Sequence, residues 1–131
     1  LFSMIDYFTP NETEASFYVD HNVETHEDAE KAAMQLLEKG IKNVVITLGE
    51  KGAFFANSEE KFSLPIANLS NPVVDTTGAG DAFNAGFAAA LTEGQNIKDA
   101  LKFASATAGL STTKIGTANS MPSREEIDKL L

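Results

Sequence analysis

The chain has 131 residues, 43% of them apolar and 22% charged, a globular composition long enough to bury a core. Nineteen acids against ten scattered Lys and Arg leave a formal net charge of -9, which argues against nucleic acid and anionic membranes as partners. There is no cysteine, hence no disulfide framework or thiolate zinc site, and no apolar run nears the ~18 residues of a membrane span, so a cytoplasmic protein is expected.

In chain order, "IDYFTP" (5–10) reads as a short buried strand stopped by Pro10. "NETEASFYV" (11–19) offers Asn11 as a helix N-cap, with Glu12 and Glu14 in the first turn. "THEDAEKAAMQLLEKG" (25–40) is amphipathic: Thr25 caps it, Ala29, Ala32, Ala33, Leu36 and Leu37 form the apolar stripe, and Gly40 stops it. "NVVITLG" (43–49) is a β-branched run suited to a strand buried on both faces. "GAFFAN" and "KFSLP" predict two strands around the polar turn Asn57-Ser58-Glu59-Glu60. "PVVD" (72–75) follows as a strand running into a glycine turn. A helix is expected from Asp81 to about Leu91, with Phe83, Phe87 and Leu91 on one face. Another is expected over 97–114, and a short one from Ser123. His21 and His26, five apart and with no acid at metal-ligand spacing, read as surface residues. Strand and helix alternate, which predicts one α/β domain over 1–131 with strands paired mainly parallel through right-handed crossovers.

The stretch "DTTGAGDAFNAGF" (75–87) carries the chemistry. A glycine turn ahead of a helix aims several backbone N–H groups at one point, where the helix dipole adds partial positive charge. This makes an anion hole without Lys or Arg, as suits so acidic a chain. Gly78 and Gly80 let the backbone approach an anion closely, and Asp81 stands beside it. A carboxylate there has the geometry to take a proton from a hydroxyl attacking a phosphoryl group. The plainer alternative is a tight turn with Asp81 as helix cap and Asp75 as a turn residue.

"DTTGAGDAFNAGFA" resembles the C-terminal signature of the ribokinase-like sugar kinases, the PfkB carbohydrate kinases, including Asp75, Gly78, Ala79, Gly80, Asp81, Ala85 and Gly86. Three more segments resemble that family in the same order. "TPNETEA" (9–15) resembles its N-x-x-E stretch, "VVITLGEKGAFF" (44–55) its nucleotide-side strand and turn, and "TTKIGTANSMPSREEI" (112–127) its monovalent-cation segment. The resemblance implies a ribokinase-like α/β fold, a mostly parallel sheet flanked by helices. It also implies ATP-dependent phosphoryl transfer to a sugar hydroxyl, with ATP, Mg²⁺ and K⁺ as cofactors. D-ribose is the expected sugar. Fructose or 2-keto-3-deoxygluconate, and a non-catalytic nucleotide-binding fragment, remain open.

By the same resemblance Asp81 is the general base, and the amides of Gly78, Ala79 and Gly80 stabilise the transferring phosphoryl group. Glu14, with Asn11, positions Mg²⁺ beside the phosphates; the residues alone also allow Glu14 a solvated helix-start role. Thr47, Gly49 and Gly52 line the nucleotide. Asp75, Thr77, Ser111, Lys114, Gly116 and Ser120 surround K⁺, mostly through carbonyls, whereas helix-end and turn polarity is the simpler account of Ser111 and Ser120. Ser105 departs from the family, which places His or Asn against the adenine, so the preference for ATP stays open. The family's Gly-Gly-x-Gly-x-Asn sugar segment and β lid are absent. The 131 residues therefore read as the C-terminal portion of a longer kinase, inactive on its own, and a homodimer of the longer protein is left open.

Overall fold

The computed structural model describes residues 2–67, 69, 72–76, 78–113 and 122–131. They fall into two compact units, Leu1–Pro65 and Ile66–Leu131.

The first unit is built on a four-stranded sheet: β1 (Tyr7–Phe8), β2 (Asn43–Thr47), β3 (Ala53–Asn57) and β4 (Lys61–Leu64), paired in that order. Val44, Val45 and Ile46 of β2 are fully buried, as their apolar run requires, and Ala53–Ala56 of β3 are buried beside them. Two helices accompany the sheet, α1 (Glu12–Tyr18) and α2 (His26–Glu38). On α2, Ala29, Ala32, Ala33 and Leu36 have no solvent exposure and pack with Val44, Ile46, Phe54 and Ala56, with Leu37 at the margin. Burying side chains of the size of Leu36 or Ile46 is worth about 1.5–3 kcal/mol each. Gly40, at φ +106°, ends α2 in a conformation closed to most side chains.

The α/β class stands, but mainly parallel pairing does not. Only β1 and β2 are parallel, while β2–β3 and β3–β4 are antiparallel, so the sheet is mixed. The cause is connection length. β2 reaches β3 through the 3-10 turn Gly49–Lys51, and β3 reaches β4 through residues 58–60. Links this short can only reverse the chain, because a parallel return needs a crossover. In the second of them Asn57 Oδ1 accepts from the amides of Glu59 and Glu60, which closes the hairpin.

The second unit comprises α3 (Ala79–Thr92), α4 (Ile97–Ser111) and α5 (Arg124–Leu130). Ala82, Phe83, Gly86, Phe87 and Ala90 form the buried face of α3; Leu101, Phe103, Ala104 and Thr107 are among the buried residues of α4. Gly86 sets the closeness of the pair, since an added Cβ would lie 2.9 Å from Thr107 Cβ and 3.2 Å from Ala104 Cα. Arg124 ties α5 in: its guanidinium lies over the Phe103 ring at 4.7 Å and bonds Glu93 and Asp128.

The "PVVD" strand does not form. Val73 and Val74 are 56% and 54% exposed in irregular backbone, with no ladder partner among the described residues. β-branched composition favours a strand only where a neighbouring strand is there to pair with it. The expected strand over 5–10 is likewise only Tyr7–Phe8, extended by one parallel bridge between Asn11 and Thr47.

Candidate active site

In the second unit the glycine turn sits where the sequence puts it. Gly78 is the N-cap of α3 with φ +77°, a left-handed conformation natural to glycine, and it has no side chain with which to cap. Ala79 N donates to Thr76 O at 3.2 Å, and Ala82 N begins the helical ladder on Gly78 O at 2.9 Å. Between them, no acceptor among the described residues faces the amides of Gly80 and Asp81. Gly80 differs from the other glycines of this stretch. Its φ is not positive, and a Cβ there would meet nothing within 4 Å among the described residues. Neither torsion nor packing explains it. Asp81, exposed, completes the first turn.

The other four α-helices begin differently. Asn11, Thr25, Asn96 and Ser123 each turn a side-chain oxygen onto an amide of the first turn.

Two segments expected around a monovalent cation meet in this unit. Val74 N and Asp75 N both donate to Thr112 O, at 2.7 and 3.0 Å. Thr112 is a residue that sequence reading missed, because nothing in "STTK" marks one carbonyl as the acceptor for two amides. That oxygen is saturated and offers no lone pair to an ion. Ser111 is buried, and its hydroxyl donates to Ala108 O at 2.7 Å, the helix-end bond that was its simpler account. Thr77, Lys114, Gly116 and Ser120 lie outside the described residues. Ser105 is half-buried on α4.

In the first unit the candidate nucleotide residues gather at one end of β2. Asn11 bridges Thr47, and Thr47 N donates to Pro10 O at 3.0 Å. The turn that follows is bounded by Gly49 (φ +57°) and Gly52 (φ +91°), and a Cβ on Gly49 would come within 3.8 Å of Glu12 Oε1. Asn11 and Glu14 form a capping box: Asn11 Oδ1 accepts from Glu14 N at 2.8 Å, and Glu14 Oε2 accepts from Asn11 N at 3.0 Å. One carboxylate oxygen of the exposed Glu14 is thus engaged at the start of α1 and the other points to no partner within the box. Among the described residues no three His, Cys, Asp or Glu converge as a metal centre. Carboxylates offered singly fit a magnesium ion held largely by nucleotide phosphates.

The two histidines are not loose surface groups. His21 Nε2 donates to Asp28 O and Nδ1 pairs with Asp20, each at 3.1 Å, with the side chain 18% exposed. The Asp28 carbonyl above all, and Asp20 after it, hold the imidazole pKa above its ordinary value. His26 is half-buried between Lys51 O and Ser63 Oγ. No helix among the described residues is long and apolar enough to cross a membrane.

Comparison with known proteins shows the family and the fold. The family model for pfkB family carbohydrate kinases matches residues 1–124. The ribokinase of Haemophilus influenzae is 43% identical over 126 residues, which takes in 96% of this chain and 40% of that protein. The structure of Arabidopsis thaliana ribokinase complexed with ribose and ATP has a TM-score of 0.92 at 39% identity, covering 99% of this chain and 42% of that one. Phosphofructokinase-2 of Escherichia coli in complex with potassium has a TM-score of 0.84 at 27% identity, over 96% and 40%. The chain spans about two fifths of the length of the relatives it matches.

Proposed function

The chain belongs to the pfkB family of carbohydrate kinases, and from that premise we propose that it is the C-terminal catalytic portion of an ATP-dependent sugar kinase, with D-ribose as the sugar. The observation that carries this reading is the start of α3. Four helices close their first turn with a side chain, whereas α3 opens on Gly78 and Gly80 with Asp81 beside them. Open amides, a helix dipole and a carboxylate in one turn suit a phosphoryl group in transfer.

In this reading Asp81 accepts the proton of the sugar hydroxyl as its oxygen bonds to the γ-phosphorus of ATP. The bond from that phosphorus to the bridging oxygen breaks, and ADP leaves. The amides of the turn, Gly80 foremost, carry the charge on the equatorial oxygens. Asn11, Thr47, Gly49 and Gly52 line the nucleotide, and Ser105 stands on the adenine side. Glu14, with Asn11, would help to hold Mg²⁺, which would neutralise phosphate charge. Asp75 and Ser111, with Thr77, Lys114, Gly116 and Ser120, belong to the K⁺ segment. The complexes of relatives with ribose and ATP and with potassium support ribose, ATP and K⁺ as the ligands in this reading.

The share of the relatives that is covered favours one further reading, in which these 131 residues alone bind Mg-nucleotide without turnover. The test is ADP release with Mg-ATP and K⁺ over ribose, fructose and 2-keto-3-deoxygluconate, using the full-length protein that contains this chain and the chain alone. Turnover of ribose that falls by about 10²–10⁴ in Asp81→Asn supports the base. Activity untouched by Asp81→Asn overturns it, and turnover by the chain alone overturns the expectation that it is inactive.

A further inference from the structure

The turn Gly49–Lys51 is soft by composition and held from outside. Within it Lys51 N donates to Leu48 O (3.0 Å), Gly52 N to Gly49 O (3.1 Å) and Leu48 N to Gly52 O (2.8 Å). Both bounding glycines have positive φ, and glycine leaves such a backbone free to relax. The start of α2 grips the turn at Lys51 in two ways. His26 Nε2 lies 2.7 Å from Lys51 O, and Lys51 Nζ donates to Glu24 O at 2.8 Å. A carbonyl only accepts, so Nε2 carries the proton. In the neutral ring Nδ1, 3.1 Å from Ser63 Oγ on β4, then accepts a hydrogen bond from that hydroxyl. One ring therefore joins α2, the turn and β4, across 25 residues of sequence on one side and 37 on the other.

We propose that His26 is a positioning residue that holds the turn Gly49–Lys51 in the shape that meets the nucleotide. The proposal rests on the reading of that turn as nucleotide-lining. The ring is suited to the role because its two nitrogens are fixed in direction, which a flexible side chain would not provide. Lys51 adds a second strap, but through a long chain that rearranges easily.

The test compares the full-length protein that contains this chain with its His26→Ala and His26→Gln variants. Hydrogen exchange at the amides of Leu48, Lys51 and Gly52 should be roughly five- to tenfold faster in His26→Ala, the worth of one or two hydrogen bonds. Exchange at Val44–Ile46 should not change. The affinity for a fluorescent Mg-ADP analogue should fall by a similar factor, and His26→Gln, whose side-chain N–H still reaches for Lys51 O, should restore both. Unchanged exchange at residues 48–52 in His26→Ala overturns the proposal, as does faster exchange with unaltered affinity. If the full-length wild-type protein binds no Mg-nucleotide, the functional reading fails, while the exchange comparison still decides whether His26 holds the turn.

Discussion

Replacing Gly86 with alanine tests how α3 is held. By intrinsic propensity the change should help, since alanine in a helix interior is favoured over glycine by about 1 kcal/mol. The packing opposes it. The new Cβ would sit 2.7 Å from Thr107 Oγ1, 2.9 Å from Thr107 Cβ and 3.2 Å from Ala104 Cα. Carbon atoms prefer separations of about 3.5–4.0 Å, so all three contacts are compressed. None can swing away. Ala104 Cα is backbone, and Thr107 is β-branched, buried and bonded through Oγ1 to Phe103 O at 2.8 Å. Relief therefore requires the helices to move apart, at an overpacking cost of about 2–3 kcal/mol. Net of propensity, Gly86→Ala should destabilise the chain by about 1–2 kcal/mol. Urea unfolding of the wild type, Gly86→Ala, Thr107→Ala and the double variant measures this. The double variant should lose less than the sum of the singles, because the closest clash has gone. A Gly86→Ala protein as stable as the wild type would refute the argument.

Gly80→Ala should do the opposite, raising stability by up to about 1 kcal/mol while lowering phosphoryl transfer in the full-length enzyme, because its Cβ stands where an anion would approach; full activity in ADP-release assays would refute a close approach of the phosphoryl group to residue 80. Glu14→Gln should keep the capping box, since glutamine also serves there, yet weaken Mg-dependent nucleotide binding; Glu14→Ala should also lose up to about 1 kcal/mol in unfolding experiments. His21 has a folded pKa above its unfolded value, so its stabilisation is full below about pH 6.5 and is lost as pH rises through the raised value. The gap between wild type and His21→Gln, a few tenths of a kcal/mol for so small a network, should therefore shrink from pH 6 to pH 8.5 in urea titrations; a gap that widened would contradict the sign.

Local features were legible in the sequence, and features that depend on distant partners were not. Asn11 and Thr25 cap helices because a cap needs only the right residue three positions ahead of an amide. The Asn57 hairpin and the buried face of α2 follow from equally short spacing. By contrast, "PVVD" has strand composition, and only the absence of a ladder partner among the described residues decides against it. Pairing direction failed for a related reason: the alternation of strands and helices suggests crossovers, yet the two links after β2 contain no helix long enough for one. The roles of Thr112 and His26 could not have been read, since each depends on groups 37 or 38 and 25 or 37 residues away.

Three glycines within one short motif serve three different physical ends, which separates its chemistry from its architecture. Gly78 supplies a left-handed torsion, and a side chain there would strain the entry to α3 whatever is bound. Gly86 supplies closeness to α4, and its replacement is felt as packing. Gly80 has neither duty among the described residues, and the proposed reading assigns it to the approach of the phosphoryl group. The same contrast separates the two helix starts assigned to the phosphates. At α1 the Asn11–Glu14 box takes up the amides of Asn11 and Glu14 and one carboxylate oxygen. At α3 no side chain among the described residues caps the first turn, and no acceptor among them faces the amides of Gly80 and Asp81. In the proposed reading, a chain with a formal charge of -9 would meet phosphate through backbone amides and a helix dipole, without a cluster of Lys or Arg.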